Sequence, residues 1–145
     1  QEVIWILNLL FYYVLENRKI YLILEEPESH LYPEAQSRVA EAMGLFLNAG
    51  NHMLVTTHSP YILGSINNLM YAGALSEQYP ESVEKIIAKE RQMHAEHTAA
   101  YYVREGTLNN IMDDKEPLIQ NSVIDGISME INEQMEQLLQ IDMGE

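Results

Sequence analysis

At 145 residues with 47% apolar content, the chain is long enough for one domain with one core and too apolar for a disordered tail. It has no cysteine, which excludes disulfides and thiolate metal sites and fits a reducing compartment, with the cytoplasm as default. The formal charge of -14 is uneven: beyond Arg104 the only basic residue is Lys115, while acids recur as far as Glu145, a surface that repels nucleic acid.

Val3 to Leu15 is almost wholly apolar, but Asn8 interrupts it and about 13 residues fall short of the roughly 20 needed to span a bilayer. No basic run precedes it, so it does not read as a signal peptide. Val3 to Glu16 is instead expected to be a helix buried on most of its surface, ended by Asn17, Arg18 and Lys19. Because the chain opens on Gln1 and enters an apolar helix almost at once, it reads as a part of something longer.

Ile20 to Leu24 is too short for a helix and apolar on both faces, as a central parallel strand would be. Pro27 prevents its continuation. Pro33 suits the first turn of a helix reaching about Asn48, with Ala35, Val39, Ala42, Met43 and Phe46 as its apolar stripe and Ala49-Gly50-Asn51 as its close. Met53 to Thr57 is a second strand. Ser59 and Pro60 then have the character of an N-cap and first helical residue, for a helix through Tyr61, Ile62, Ile66 and Leu69.

Tyr79-Pro80 marks a break, and Ser82 to about Arg91 is open between a further helix and, with the following Gln92 to His97, a mobile loop. Ala99 to Arg104, the turn signal Glu105-Gly106 and Thr107 to Met112 predict a hairpin. Asn121 to Gln140 carries Val123, Ile124, Ile127, Ile131, Met135, Leu138 and Leu139 at helical spacing and is expected to pack on the domain.

The order strand, helix, strand places two strands parallel through a crossover helix, so their polar ends share one edge of the sheet. Ligands of open α/β sheets settle outside the carboxyl ends of the strands, which makes Glu25, Glu26 and His58 a candidate site. Two adjacent carboxylates at a buried strand end can divide the work of phosphoryl transfer, one holding a metal and one orienting or deprotonating water. A ring N–H of His58 would reach the outermost phosphate. An isolated Glu-Glu pair is more often a surface cap on a strand; a second apolar strand ending in Thr56-Thr57-His58-Ser59 points the other way.

The run Leu22-Ile23-Leu24-Glu25-Glu26-Pro27-Glu28-Ser29-His30-Leu31-Tyr32-Pro33, together with Thr56-Thr57-His58-Ser59, resembles the Walker B, D-loop and switch-histidine segments of ABC-type ATPase heads. It is most similar to the bacterial AAA-type ATPases related to the overcoming-lysogeny-defect and RecF-like groups. The resemblance implies an α/β fold, a partial P-loop NTPase with parallel core strands flanked by helices, followed by a C-terminal β-hairpin and helix within a single domain, residues 1–145. By position it implies Glu25 as the metal-binding acid, Glu26 as the catalytic glutamate, His58 as the switch histidine and Ser29 to Pro33 as the D-loop, with Ser29 and His30 near nucleotide. Gln1-Glu2 would be the tail of the ABC signature.

Two positions depart from the pattern: Glu25 stands where the family usually has aspartate, and Tyr32 where many ABC heads carry the D-loop aspartate. No G-x-x-x-x-G-K-[ST] phosphate loop occurs in the chain, so a triphosphate has no cradle of backbone N–H groups and lysine. The expectation is therefore the C-terminal half of a head, inactive alone. Its intact parent would bind ATP and Mg2+, hydrolyse ATP with two heads closing head to head, and couple closure to DNA repair, defence against foreign DNA or another effector. Nucleic acid would be met by the parent, not by this acidic part, and no membrane is involved.

Two rivals stand beside this reading: a non-catalytic oligomerisation or partner-docking module, and a metal-dependent phosphodiesterase using Glu25, Glu26 and His58 directly. Among weaker signals, His94 and His97 with Glu90 have the spacing of a metal site, although solvated loop residues fit better. His30 would either meet a partner subunit or cap the Pro33 helix. Tyr12, Tyr13, Tyr101 and Tyr102 read as packing and edge residues rather than base-stacking platforms, and the methionines as core fillers.

Overall fold

The computed structural model describes residues 19–120 and, beyond them, Met135 and Leu138. The expected apolar helix from Val3 to Glu16 and the signature tail at Gln1-Glu2 lie outside the described residues. Of the expected helix from Asn121 to Gln140, only Met135 and Leu138 are described; both are helical, and both are exposed.

Strand β1 (Tyr21–Glu25) runs into helix α1 (Pro33–Asn48), which returns the chain to strand β2 (His52–Thr56) and then to helix α2 (Pro60–Leu75). The two strands pair parallel and in register, from Tyr21 opposite His52 to Glu25 opposite Thr56. This is the crossover arrangement expected of a strand–helix–strand order. Asn51 fixes where the ladder starts: its Oδ1 accepts the Ile20 N–H at 3.1 Å, and its Nδ2 donates to the Phe46 carbonyl at 2.9 Å. The start of the sheet is thereby tied to the last turns of α1.

Alternation decides which face meets the helices. Met53 and Val55 of β2 pack against a core built from Ala40 and Met43 of α1, Leu69 and Met70 of α2, and Met93, Ile111 and Ile119 from the later chain. The opposite face, with Tyr21, Ile23 and Leu54, is exposed, which corrects the expectation of a strand buried on both sides. Parallel sheets are normally covered on both faces, and among the described residues this one has two strands and helices packed on one side only.

After α2 the chain forms a short helix, α3 (Pro80–Glu84), with Pro80 at its first turn. It then enters two 3-10 turns, Lys89–Arg91 and Ala95–His97. The stretch from Ser82 to Arg91 is thus neither one helix nor a free loop. Its polar residues are used instead to strap α1 to α2: Asn48 Nδ2 donates to the carbonyls of Glu90 at 2.8 Å and Gln92 at 2.7 Å, and the Ser76 hydroxyl donates to buried Gln92 Oε1 at 2.7 Å. Gly44 and Gly73 permit the approach, because a Cβ at either would collide with the backbone carbonyl of Arg91 or Met93.

Strands β3 (Tyr101–Arg104) and β4 (Thr107–Asn110) form the expected antiparallel hairpin. Glu105 and Gly106 both take positive φ, the geometry a two-residue hairpin turn needs. Tyr101, Tyr102, Val103 and Leu108 are exposed rather than packed. Beyond β4, the buried Asn67 of α2 exchanges two hydrogen bonds with the backbone of Ile119, at 2.9 and 2.7 Å, and holds this segment to the core. Among the described residues no helix is long and apolar enough to cross a membrane.

Candidate functional site

Parallel pairing brings the carboxyl ends of β1 and β2 to one rim. One more ladder bond continues past Glu25, from the Glu26 N–H to the Thr56 carbonyl at 2.8 Å. There the strand must stop, since Pro27 has no N–H to extend it. Glu26 turns the chain at φ +44°, a left-handed conformation costing a non-glycine residue on the order of 1–3 kcal/mol. That turn breaks the strand's alternation of faces.

The Glu26 carboxylate lies beside the residue that follows the second strand. His58 Nδ1 stands 3.5 Å from Glu26 Oε1, with both side chains largely exposed. Ser29 supports the other oxygen, its hydroxyl donating to Glu26 Oε2 at 3.3 Å, and its N–H closes the turn on the Glu26 carbonyl at 2.9 Å. Of the residues singled out in the sequence, Glu26, Ser29 and His58 are therefore in contact around one carboxylate. Glu25 is set apart, at the last paired position of β1 opposite Thr56 and on the exposed face with Ile23.

Beneath this exposed group lies a buried acid to which the sequence assigns no role. Glu28 is only 4% exposed, and its Oε1 accepts from the Thr57 hydroxyl at 2.5 Å and from the His58 backbone N–H at 3.1 Å. His58 Nδ1 is 3.8 Å from the same oxygen. Oε2 is buried and has no hydrogen-bond partner among the described residues. Burial acts to raise the Glu28 pKa, but the hydrogen bonds from Thr57, from its own backbone and from His58, with the electrostatic influence of the imidazole, outweigh it and hold the carboxyl below its ordinary 4.5. Nothing local in the sequence signals this residue, since its neighbours Glu26, Ser29 and His30 in the same turn are exposed and its partners lie about thirty residues away.

The start of α2 is fixed at the same rim. Ser59 caps it, its hydroxyl oxygen accepting from Tyr61 N–H at 3.1 Å and Ile62 N–H at 3.3 Å, and its own O–H donates to Gln36 Oε1. Gln36 Nε2 in turn donates to the Leu31 carbonyl at 2.9 Å, linking the first turn of α1 to the cap of α2. His30 sits in the turn at φ +64° and does not cap α1, whose N-cap Tyr32 makes no side-chain cap bond. An open cleft of about 400 Å³ lies here, lined by Glu28, His30, Gln36, His58, Ser59 and Tyr61 among others. A second hollow of about 440 Å³, at Asn48, Ser76 and Gln92, belongs to the strap and contains none of the rim residues.

Magnesium is commonly held by one or two carboxylates, with substrate phosphates and water completing the shell. Glu25 would supply one such carboxylate, with the extra methylene of glutamate to be accommodated around the metal. Among the described residues no group of three His, Cys, Asp or Glu side chains is placed to hold a metal ion, and His94 and His97, 6.3 Å apart between ring centroids, are exposed on the strap.

Residues 1–63 match the family model of the AAA ATPase domain. The match takes in β1, the turn, α1, β2 and the first residues of α2, and so every residue of the rim. It supports an AAA/P-loop ATPase-type region, of a family that generally binds ATP with Mg2+. Neither curated proteins nor solved structures give a significant match to the chain.

Proposed function

We propose that the chain is the Walker B to switch-histidine half of an ABC-type ATPase head, and that the intact head binds and hydrolyses ATP with Mg2+. The observation carrying this reading is the parallel, in-register pair of strands that sets Glu26 and His58 3.5 Å apart on one rim, within the stretch that matches the AAA ATPase domain. No phosphate-loop motif occurs in this sequence, so on this reading another part of the head supplies it and hydrolysis is expected of the intact head. The exposed apolar face at Tyr21, Ile23 and Leu54 agrees with a sheet completed by further parts of the head.

In that site Glu26 orients the attacking water and takes its proton, a task for which an exposed carboxylate held by the Ser29 hydroxyl is suited. His58 donates from its ring to the outermost phosphate. Glu25 is the residue that would hold Mg2+, which when bound offsets the charge of the phosphates. Ser29 and His30 lie on the exposed turn between β1 and α1, where a second head would meet them. Closure of two heads then couples hydrolysis to an effector such as DNA repair or defence against foreign DNA.

The phosphodiesterase alternative gains no support, since it needs metal ligands from the protein itself and the described residues group no three of them. Steady-state ATP hydrolysis by the full-length protein tests the reading. Glu26→Gln is expected to lower kcat by about a hundredfold or more while ATP is still bound. Undiminished turnover in that variant would remove Glu26 from the mechanism and the reading with it.

A further inference from the structure

The geometry points to Glu28 as a positioning residue for His58: a buried carboxylate that clamps the end of β2 to the turn after β1 and so holds the imidazole beside Glu26. This rests on the ATPase reading of the rim and adds to it a residue that touches neither phosphate nor water. Three observations carry it. Glu28 is the one acid of the turn that is buried, at 4% exposed. Its Oε1 gathers the Thr57 hydroxyl and the His58 N–H, the two groups that follow the last paired residue of β2. The same oxygen lies 3.8 Å from the imidazole Nδ1, just behind the 3.5 Å approach of Glu26.

A fastening between turn and strand needs only a neutral acceptor, and glutamine would provide one without the cost of removing a charge from water. A carboxylate with one oxygen unpartnered among the described residues is a poor choice for that purpose alone. What it adds is negative charge behind the imidazole. Charge there favours the ring orientation that turns Nδ1 toward the carboxylates, and so leaves Nε2 as the ring nitrogen available to a phosphate. Thr57 belongs to the same device: its hydroxyl donates to Glu28 and accepts the Ser59 N–H at 3.1 Å, so the clamp extends to the cap of α2.

The test uses the full-length protein. Glu28→Gln is expected to lower kcat for ATP hydrolysis about tenfold while KM for ATP changes by less than about twofold, as for a group that sets the geometry of the reacting site rather than binding substrate. Thr57→Val is expected to lower kcat about threefold, and Thr57→Ser, which keeps the hydroxyl, to restore it. In spectra of the same protein labelled at histidine, the His58 backbone amide proton should move upfield in Glu28→Gln, as the charged acceptor of its hydrogen bond is replaced by a neutral one. If kcat is unchanged in Glu28→Gln and Thr57→Val while Glu26→Gln abolishes turnover, the positioning role falls and the ATPase site stands. If activity falls only in proportion to the folded fraction, the role is structural and the proposal is overturned. If Glu26→Gln itself retains turnover, it is the ATPase reading that fails.

Discussion

His58 Nδ1 and Glu26 Oε1 face each other across 3.5 Å with their side chains 74% and 56% exposed. A pair so open to water contributes roughly 0–1 kcal/mol to stability. The contact therefore matters for where it leaves the two groups, at the edge of a cleft and at the ends of two strands that hold them in register.

His58→Ala separates these effects. The thermal midpoint is expected to change by less than roughly 4 °C, while ATP hydrolysis by the full-length protein falls about tenfold or more. Calorimetry and steady-state turnover on the same preparation check this; a destabilised variant with normal turnover would show that His58 serves the fold.

Acid should weaken the fold through Glu28. Its folded pKa lies below the ordinary 4.5, so the folded state binds fewer protons than the unfolded state in that range. Its contribution is complete above about 4.5 and is lost as pH falls through the lower, folded value. Asp113, lowered by the N–H groups of Lys115 and Glu116, acts with the same sign. Urea midpoints measured from pH 7 down to about pH 3 should decline, and Glu28→Gln should flatten the decline without removing the part due to Asp113.

Three glycines give contrasting alanine substitutions. At Gly44 and Gly73 the new methyl meets the backbone carbonyls of Arg91 and Met93, which cannot swing aside, and a loss of about 1–3 kcal/mol is expected for each. At Gly64, also in α2, nothing lies within 4 Å, and alanine should stabilise by about 0.5–1 kcal/mol through helix propensity alone. Denaturant titration of the three variants checks the order, and equal effects at all three positions would deny the close crossing of the strap.

Much of this arrangement was legible in the sequence because local chemistry decided it. Pro33 and Pro60 opened helices, Ser59 capped one, and Glu105-Gly106 turned a hairpin, each through the conformations its own side chain allows. The parallel order of β1 and β2 followed from the helix between them. The burial of Glu28 was not legible, since an acid after a proline reads as surface until its partners on a strand some thirty residues away are known. The strap was hidden for the same reason: Asn48, Ser76 and Gln92 have no periodicity, and only their long-range bonds give the segment its course. The apolar strands promised two covered faces, and among the described residues helices cover only one, since a strand's composition does not say which neighbour covers it.

The strap fastens α1 and α2 at the ends remote from the rim, through Asn48 on one and Ser76 on the other. At the rim the same helices begin beside the two strand ends, joined by Gln36 and Ser59. Pinned at both extremities, the two helices are spliced into one unit, so the strand ends that carry Glu26 and His58 rest on a frame fastened at its far side as well as at the rim.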